Sequence, residues 1–204
     1  MNKNKNIALI GMSGAGKTFW SRKLAEENYI LISCDDLILE TLFPNKKNCN
    51  SIDLLGEWLG YPWEDNADFV RKQNIYLQTE ELIMNQALDR KESKPIVFDT
   101  TGSFIYCSKD VQKKLKASAI AIYIKLDQEY INQLLNLYLQ NPRPIVWQNQ
   151  KFSTNPNPDE IKKSYKKLLE ERDKLYLELS DKILFYSQLT KIKSINEFLE
   201  IIKD

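Results

Sequence analysis

The stretch IALIGMSGAGKT, residues 7–18, restricts this chain to a small set of folds. An apolar run leads into a glycine-rich loop of the form G-x-x-x-x-G-K-T, and a helix-forming segment follows. A loop of this kind between a strand and a helix is typical of P-loop nucleotide-binding proteins. Its glycines let backbone N–H groups curve around phosphates, and the helix N-terminus adds positive charge. The sequence therefore predicts a bound nucleoside triphosphate.

This loop supplies the candidate nucleotide contacts. Lys17 is expected to reach the β- and γ-phosphates, and Thr18 to offer its hydroxyl to Mg²⁺. Asp99 follows the apolar run 96–98, as a magnesium-binding carboxylate would, although an aspartate there can also cap the next turn. The residues expected around the phosphates of ATP are Gly11, Ser13, Gly14, Ala15, Gly16, Lys17 and Thr18.

Apolar β-rich runs alternate with helical patterns, which indicates βαβ units and a parallel sheet. Two long irregular segments, 43–66 and 141–157, favour lids or binding loops over passive connections. Asn157 followed by Pro158 predicts a capped helix start. The predicted strands are 7–10, 30–33, 96–98, 120–125 and 183–186, and the predicted helices are 16–27, 67–90, 109–116, 128–140, 158–180 and 195–203.

Composition excludes several classes of protein. The chain has no histidine, which excludes histidine-based acid–base catalysis and histidine metal sites. The 29 basic and 28 acidic residues balance to a net charge of +1, which argues against nucleic acid or an anionic membrane as the main partner. No apolar run is long enough to span a bilayer, and the odd count of three cysteines fits reduced thiols. We expect a cytoplasmic protein that is a monomer or weak dimer.

Three further positions are candidates for chemistry on an acceptor. Asp35 or Asp36 follows the second strand and could take a proton from a hydroxyl or organise magnesium, although either could simply cap a helix. Arg143 precedes a proline in the second long segment and could close over a transferring phosphoryl group, or lie on the surface. Arg172 lies in an amphipathic helix, where it could also pair with a neighbouring glutamate.

Taken together, these stretches resemble the shikimate kinases, within the nucleoside-monophosphate-kinase-like group of P-loop proteins. The resemblance extends from residue 7 to about residue 190. It implies an α/β fold, a P-loop three-layer α/β/α sandwich whose five-stranded parallel sheet has the order 2-3-1-4-5. The matching stretches are GKTFWSRKLA at 16–25, CDDLILE at 34–40, FVRKQN at 69–74, RPI at 143–145 and LLEERDKLYLELSD at 168–181.

The resemblance also implies a reaction. An ATP- and magnesium-dependent kinase would transfer the γ-phosphate to a hydroxyl of a small anionic metabolite, with shikimate as one candidate. Asp36 would hold and deprotonate that hydroxyl, Arg71 and Arg172 would clamp a carboxylate, and Arg143 would cover the phosphates. Gly102 would lie against the acceptor. The expected organisation is one kinase domain, 1–204, with an acceptor-binding lobe at about 37–90 and a lid at about 141–157.

The sequence departs from the family in ways that leave other functions open. Cys34 replaces the first aspartate of D-x-D, so Asp99 is expected to supply the magnesium ligand. TTG at 100–102 replaces a triple glycine, and the glutamate expected after Arg71 is missing. The aromatic residues Trp58, Tyr61 and Trp63 either pack locally or enlarge the acceptor pocket. The alternatives are a kinase for a nucleoside, sugar acid or aminoglycoside, or a non-catalytic nucleotide-binding regulatory domain.

Overall fold

The computed structural model describes residues 5–46, 50–140 and 144–203. A five-stranded parallel sheet lies at its centre, and its strand order of 2-3-1-4-5 confirms the predicted topology. The strands are β1 (Asn6–Ile10), β2 (Ile30–Ser33), β3 (Ile96–Asp99), β4 (Ala119–Lys125) and β5 (Lys182–Phe185).

Helices pack around this sheet and complete the three-layer α/β/α sandwich. Within the described part of the chain, no helix is both long enough and apolar enough to cross a membrane. A 3₁₀ turn covers Phe104–Tyr106. The helices are α1 (Lys17–Glu26), α2 (Cys34–Leu42), α3 (Ser51–Leu59), α4 (Asn66–Ala87), α5 (Lys109–Ser118), α6 (Gln128–Gln140), α7 (Pro158–Leu179), α8 (Tyr186–Leu189) and α9 (Ile195–Lys203).

The sheet brings the ends of three strands to one edge. β1, β3 and β4 are almost wholly buried, because helices cover both faces of a parallel sheet and leave its central strands without a polar side. Asp99 is in register with Leu9 of β1 and with Ser33 of β2. The segments that follow β1, β2 and β3 therefore start side by side, at the edge where open α/β sheets bind ligands.

The first long segment is more ordered than the sequence predicted. Residues 43–66 were expected to be irregular, but α3 lies inside them. Asn50 caps this helix by accepting a hydrogen bond from the backbone N–H of Ile52 at 3.1 Å. At the start of α2 the capping side chain is Ser33, and neither Asp35 nor Asp36 has this role. The predicted cap at Asn157 is confirmed, since its side chain accepts from the N–H of Glu160 at 2.9 Å.

Aromatic side chains attach the second long segment to the body of the protein. Trp63 stacks on Tyr61 with 5.0 Å between ring centroids, and it meets Trp147 and Phe152 edge-on. Trp58 packs against Phe43 instead. The three aromatic residues singled out in the sequence therefore pack against other aromatic side chains, and none of them lines the cavity described below.

Candidate active site

A cavity of about 330 Å³ lies at the carboxyl edge of the sheet. The P-loop, the start of α2, the loop after β3 and one residue each of α4 and α7 form its polar side. Residues of α3 and the segment 144–146 form an apolar wall. The main polar groups are Ser13, Lys17, Thr18, Asp35, Tyr76 and Arg172, and the apolar wall contains Ile52, Leu55, Leu59, Ile145 and Val146.

The P-loop has the backbone that a phosphate cradle needs. Gly11 has a φ of +147°, and a Cβ at this position would lie 2.8 Å from the carbonyl oxygen of Ile124. Gly16, with a φ of +86°, immediately precedes α1, so the helix N-terminus points at the loop. Of the seven expected phosphate contacts, all but two line the cavity; the exceptions are Gly11 and the fully buried Ala15.

Lys17 is held close to the loop. Its ammonium group donates hydrogen bonds to the carbonyl oxygens of Gly11 and Met12, both at 3.0 Å. Burial lowers the pKa of Lys17, and the nearby carboxylates of Asp99 and Asp35 oppose that shift. The side chain is therefore a buried cation at the base of the cavity, where phosphate oxygens can replace the two carbonyl partners.

Thr18 and Asp99 form a pair suited to magnesium. The Thr18 side chain hydrogen-bonds to the Asp99 carboxylate. Burial raises the pKa of Asp99, and Lys17 and this hydrogen bond oppose part of that rise. In residues 5–46, 50–140 and 144–203, no group of three or more His, Cys, Asp or Glu residues could hold a metal alone. Mg²⁺ is usually bound by one or two protein oxygens together with substrate phosphates, so these two residues fit the ion.

Of the two adjacent aspartates, Asp35 lines the cavity and Asp36 does not. Burial raises the pKa of Asp35 to about 6, while Lys17 and a hydrogen bond from Tyr76 act in the opposite direction. Asp36 lies about 100° further around α2, where its side chain is exposed to solvent. The position that the resemblance gave to Asp36 is therefore taken by Asp35 in the structure.

Cys34 belongs to the core of the protein. It is fully buried, and its Sγ lies 2.9 Å from the Sδ of Met84. Burial also raises the pKa of the Cys34 thiol well above its usual value, so the side chain is held as a neutral thiol. The residue at the family's first aspartate position thus contributes packing, and the carboxylate that hydrogen-bonds to the P-loop threonine is Asp99.

Arg172 lies inside the site, away from the solvent-exposed face of α7. It is 5% exposed, and its Nη2 donates to the carbonyl oxygen of Val146 at 2.7 Å. Its guanidinium carbon also lies 5.3 Å from the centre of the Tyr106 ring. Among the described residues, no carboxylate forms an ion pair with it. A buried cation without a counter-ion makes this end of the cavity favourable for an anion.

Gly102 allows Arg172 to approach the P-loop. A Cβ at residue 102 would lie 3.3 Å from Nη1 of Arg172 and 3.4 Å from the backbone nitrogen of Ser13. The carbonyl oxygen of Gly102 accepts a hydrogen bond from the Tyr176 hydroxyl at 2.6 Å. The predicted acceptor contact at Gly102 therefore lies in the cavity wall between the phosphate loop and the guanidinium.

Two other predicted arginines are not brought into the cavity. Arg71 is exposed and forms an ion pair with Asp68 at 2.7 Å. The buried face of α4 contains Phe69, Gln73 and Tyr76, and Arg71 lies about 200° around the helix from Phe69. The expected two-arginine clamp thus has one member, Arg172, in this structure. Arg143 lies outside the described residues.

A buried carboxyl that the sequence analysis did not predict lies next to residues that line the cavity. Glu80 of α4 is fully buried, and it accepts hydrogen bonds from the hydroxyls of Thr101 and Ser103. Burial raises its pKa to about 7. Thr100 is also occupied, since its hydroxyl donates to the carbonyl oxygen of Leu9 at 2.8 Å. The threonine hydroxyls that replace the family's glycines are therefore bonded to the protein itself.

A recognisable signal for Glu80 was present in the sequence. Gln73, Tyr76 and Glu80 follow one another at helical spacing, in register with Phe69 and Ile83, which are apolar. Polar residues inside an otherwise buried stripe indicate a hydrogen-bonded interior position.

Comparisons with known proteins indicate the family of the chain. A profile of the shikimate kinase family matches residues 67–203, and a profile described as an AAA domain matches residues 7–121. Shikimate kinase 1 of Hamiltonella defensa is 28% identical over 184 residues, covering 90% of this chain and 88% of that protein.

Solved structures show the same fold. The shikimate kinase of Bacteroides thetaiotaomicron superposes with a TM-score of 0.60 at 18% identity, covering 98% of this chain and 99% of that one. The shikimate kinase of Acinetobacter baumannii, solved in complex with shikimate, gives a TM-score of 0.55 at 23% identity, covering 98% of this chain and 93% of that one.

Proposed function

Because the chain belongs to the shikimate kinase family, and is therefore an ATP-dependent phosphotransferase with an alcohol group as acceptor, we propose that it phosphorylates a small anionic metabolite. One observation carries this proposal: the P-loop, the half-buried carboxylate of Asp35 and the guanidinium of Arg172, which has no ion pair among the described residues, line a single cavity. This arrangement provides a place for the phosphoryl donor, a base for the hydroxyl and a partner for an anionic group.

On the nucleotide side, the P-loop amides and Lys17 would hold the β- and γ-phosphates of ATP. Thr18 and Asp99 are the residues that would hold Mg²⁺, which supplies positive charge to the phosphate oxygens during transfer. Arg143 remains a proposed contact over the transferring group. The role of these side chains is positioning and charge stabilisation, which account for most of the catalysis in phosphoryl transfer.

On the acceptor side, Asp35 would accept the hydroxyl proton while the acceptor oxygen bonds to the γ-phosphorus and the bond to ADP breaks. A pKa of about 6 makes Asp35 a stronger base than an ordinary aspartate, yet leaves it mostly ionised at neutral pH. Arg172 would bind the anionic group of the acceptor through its Nη1, the nitrogen that faces Gly102 in the cavity wall.

The walls of the cavity favour one kind of acceptor. A single buried guanidinium suits one carboxylate or similar anion. The apolar lining of Ile52, Leu55, Leu59, Ile145 and Val146 suits an apolar ring or chain. Shikimate is one candidate, supported by the family and by the bound shikimate of the Acinetobacter structure. A different hydroxy acid is the second candidate, because Arg71 lies on the solvent side of α4.

The experiment that tests this proposal is a thermal-shift titration in the presence of a non-hydrolysable ATP analogue. Shikimate, other hydroxy acids and uncharged alcohols of similar size are compared. A ligand at a hundred times its Kd stabilises the folded protein by about 2.7 kcal/mol, which is readily measured. We expect stabilisation by at least one hydroxy acid, its loss in Arg172→Met and its retention in Arg71→Met. A response to uncharged alcohols alone would contradict the proposal.

We also propose that the protein is cytoplasmic and that it acts as a monomer or weak dimer. Cys34 and Cys107 are both free and buried, which supports a reducing compartment. Sedimentation velocity over a range of protein concentrations tests the oligomeric state. A stable higher oligomer at low concentration would contradict the proposed state.

A further inference from the structure

Glu80 is a fully buried carboxyl, and its hydrogen bonds within the described part of the chain join it to residues that line the cavity. The side chain is fully buried, and no lysine or arginine in the described ranges forms an ion pair with it. Replacing such a group by an apolar one of similar size is often neutral or stabilising, so packing alone does not account for it. Its two oxygens are instead bonded to hydroxyls of the loop after β3, Thr101 at one oxygen and Ser103 at the other.

Tyr76 connects this buried group to the proposed base. Its hydroxyl lies 3.4 Å from Oδ1 of Asp35, to which it donates. Hydrogen bonding by the side chains of Ser103 and Thr101 also acts on the Tyr76 hydroxyl and opposes the rise in its pKa that burial causes. A continuous set of polar groups therefore runs from Asp35 in the cavity through Tyr76, Ser103 and Thr101 to Glu80.

Counting protons shows how Glu80 can influence Asp35. When Glu80 is ionised, it accepts the protons of both Thr101 and Ser103, and neither hydroxyl has a proton left for Tyr76. When Glu80 is neutral, it donates its own proton to one of these hydroxyls, whose proton can then turn to the Tyr76 oxygen. A Tyr76 hydroxyl that accepts such a bond is a stronger donor to Asp35.

We propose that Glu80 is a positioning residue for the transfer reaction and acts on Asp35 through the hydroxyls of Thr101, Ser103 and Tyr76. The inference rests on the proposed function, because Asp35 is the base that it assigns. Glu80 itself does not line the cavity. Its effect is to set how strongly Tyr76 holds the Asp35 carboxylate.

Other charged groups face these two carboxyls and must be kept constant. Lys17 of α1, Asp99 at the end of β3 and the neighbouring Asp36 act on Asp35. Arg172 of α7 and Asp35 act on Glu80. Variants that test the hydroxyl connection therefore change only Glu80, Tyr76 or the loop hydroxyls, and leave these groups in place.

The primary test follows the carboxyl carbons of Asp35 and Glu80 by ¹³C NMR during a pH titration of the full chain without ligand. Tyr76→Phe should raise the pKa of Asp35, because it removes a donor to the carboxylate. Glu80→Gln should lower it, on the order of half a unit, because it removes a negative charge and strengthens the Tyr76 bond. In the Tyr76→Phe background, Glu80→Gln should have a clearly smaller effect.

Matched controls separate this connection from general effects of mutation. Tyr138→Phe removes a buried hydroxyl that has no hydrogen-bond partner among the described residues, and Glu81→Gln makes the same change one position along α4. Both should leave the Asp35 titration unchanged. If Glu80→Gln does not fold, Thr101→Val with Ser103→Ala removes the same link and should uncouple the two titrations.

The outcomes distinguish this inference from the proposed function. An equal effect of Glu80→Gln in the wild-type and Tyr76→Phe backgrounds, or none in either, would overturn the hydroxyl connection even if the enzyme transfers phosphate. With the acceptor found in the ligand screen, the acidic limb of kcat against pH should shift in parallel with Asp35, while the KM for ATP stays constant. Absence of transfer to every acceptor would remove the proposed function but leave the NMR result intact.

Discussion

At the scale of single residues, two adjacent aspartates differ in whether they reach the cavity. Asp35 and Asp36 have the same chemistry and lie next to each other, but only Asp35 lines the cavity and is held by Tyr76. Asp35→Asn should reduce kcat on the order of a hundredfold or more, the usual cost of removing a general base. Asp36→Asn is the matched control and should change kcat little. Steady-state kinetics in which Asp36→Asn is the more damaging variant would contradict this assignment.

Arg172 supports a second prediction at this scale. Arg172→Lys keeps the charge but loses the planar guanidinium that binds Val146 and faces Gly102. We expect the KM for the acceptor to rise by about tenfold or more, since a charge-assisted hydrogen bond contributes roughly 1.5–3 kcal/mol. The KM for ATP should be unchanged. Arg71→Lys, at an exposed ion pair, is expected to behave as wild type, and similar effects from both variants would refute the distinction.

At the scale of elements, α4 supports the site through one face. Gln73 accepts hydrogen bonds from the backbone N–H groups of Trp147 and Gln148, at 2.7 and 2.9 Å, and donates to the carbonyl oxygen of Gln148 at 3.1 Å. Gln148 has a φ of +57°, which a residue other than glycine rarely adopts. The helix thus fixes the segment whose Val146 carbonyl binds Arg172.

This support predicts the effect of Gln73→Met. The variant leaves the buried N–H of Trp147 and the part-buried N–H of Gln148 without this partner, which should lower the free energy of unfolding by about 1–3 kcal/mol. Hydrogen exchange at Trp147 and Gln148 should accelerate, and the KM for the acceptor should rise. Gln86→Met, at an exposed position of the same helix, serves as the control. Unchanged exchange at both amides would show that Gln73 does not hold this segment.

The elements also show what the sequence could and could not predict. The P-loop and all five strands were predicted within a residue or so, because a glycine-rich loop and buried apolar runs are determined locally. The choice between Asp35 and Asp36 was not predicted correctly, since it depends on the residue at which α2 begins. Arg71 was predicted to bind the acceptor from a family motif whose glutamate is missing in this sequence. The structure puts Arg71 two positions from the buried stripe of α4. Glu80 resembles a surface glutamate when it is considered without Gln73, Tyr76 and the apolar residues that share its face of α4.

At the scale of the whole molecule, buried carboxyls make stability depend on pH. The pKa of Asp35 is raised to about 6 and that of Glu80 to about 7. At these two carboxyls the folded state therefore binds more protons than the unfolded state between about pH 4, where unfolded carboxyls ionise, and about pH 8. The stabilisation from protonated Asp35 and Glu80 is complete below that pH and is lost as the pH rises through 6 and 7.

Urea unfolding measures this dependence. The stability of Glu80→Gln relative to wild type should increase from pH 5 to pH 8, by on the order of 1–3 kcal/mol, because the variant no longer buries a charge at high pH. Glu81→Gln should show no such gain. A constant difference between Glu80→Gln and wild type across this range would mean that Glu80 titrates normally.

The central claim is that the chain transfers phosphate to a hydroxyl of a small anionic molecule. The most direct measurement is ³¹P NMR of reactions that contain the protein, ATP, Mg²⁺ and either shikimate, another hydroxy acid or an uncharged alcohol. We predict a new phosphomonoester signal and stoichiometric ADP with at least one hydroxy acid, lost in Lys17→Ala and in Asp35→Asn. A phosphomonoester formed only from uncharged alcohols, or none with any acceptor although ATP binds, would contradict the claim.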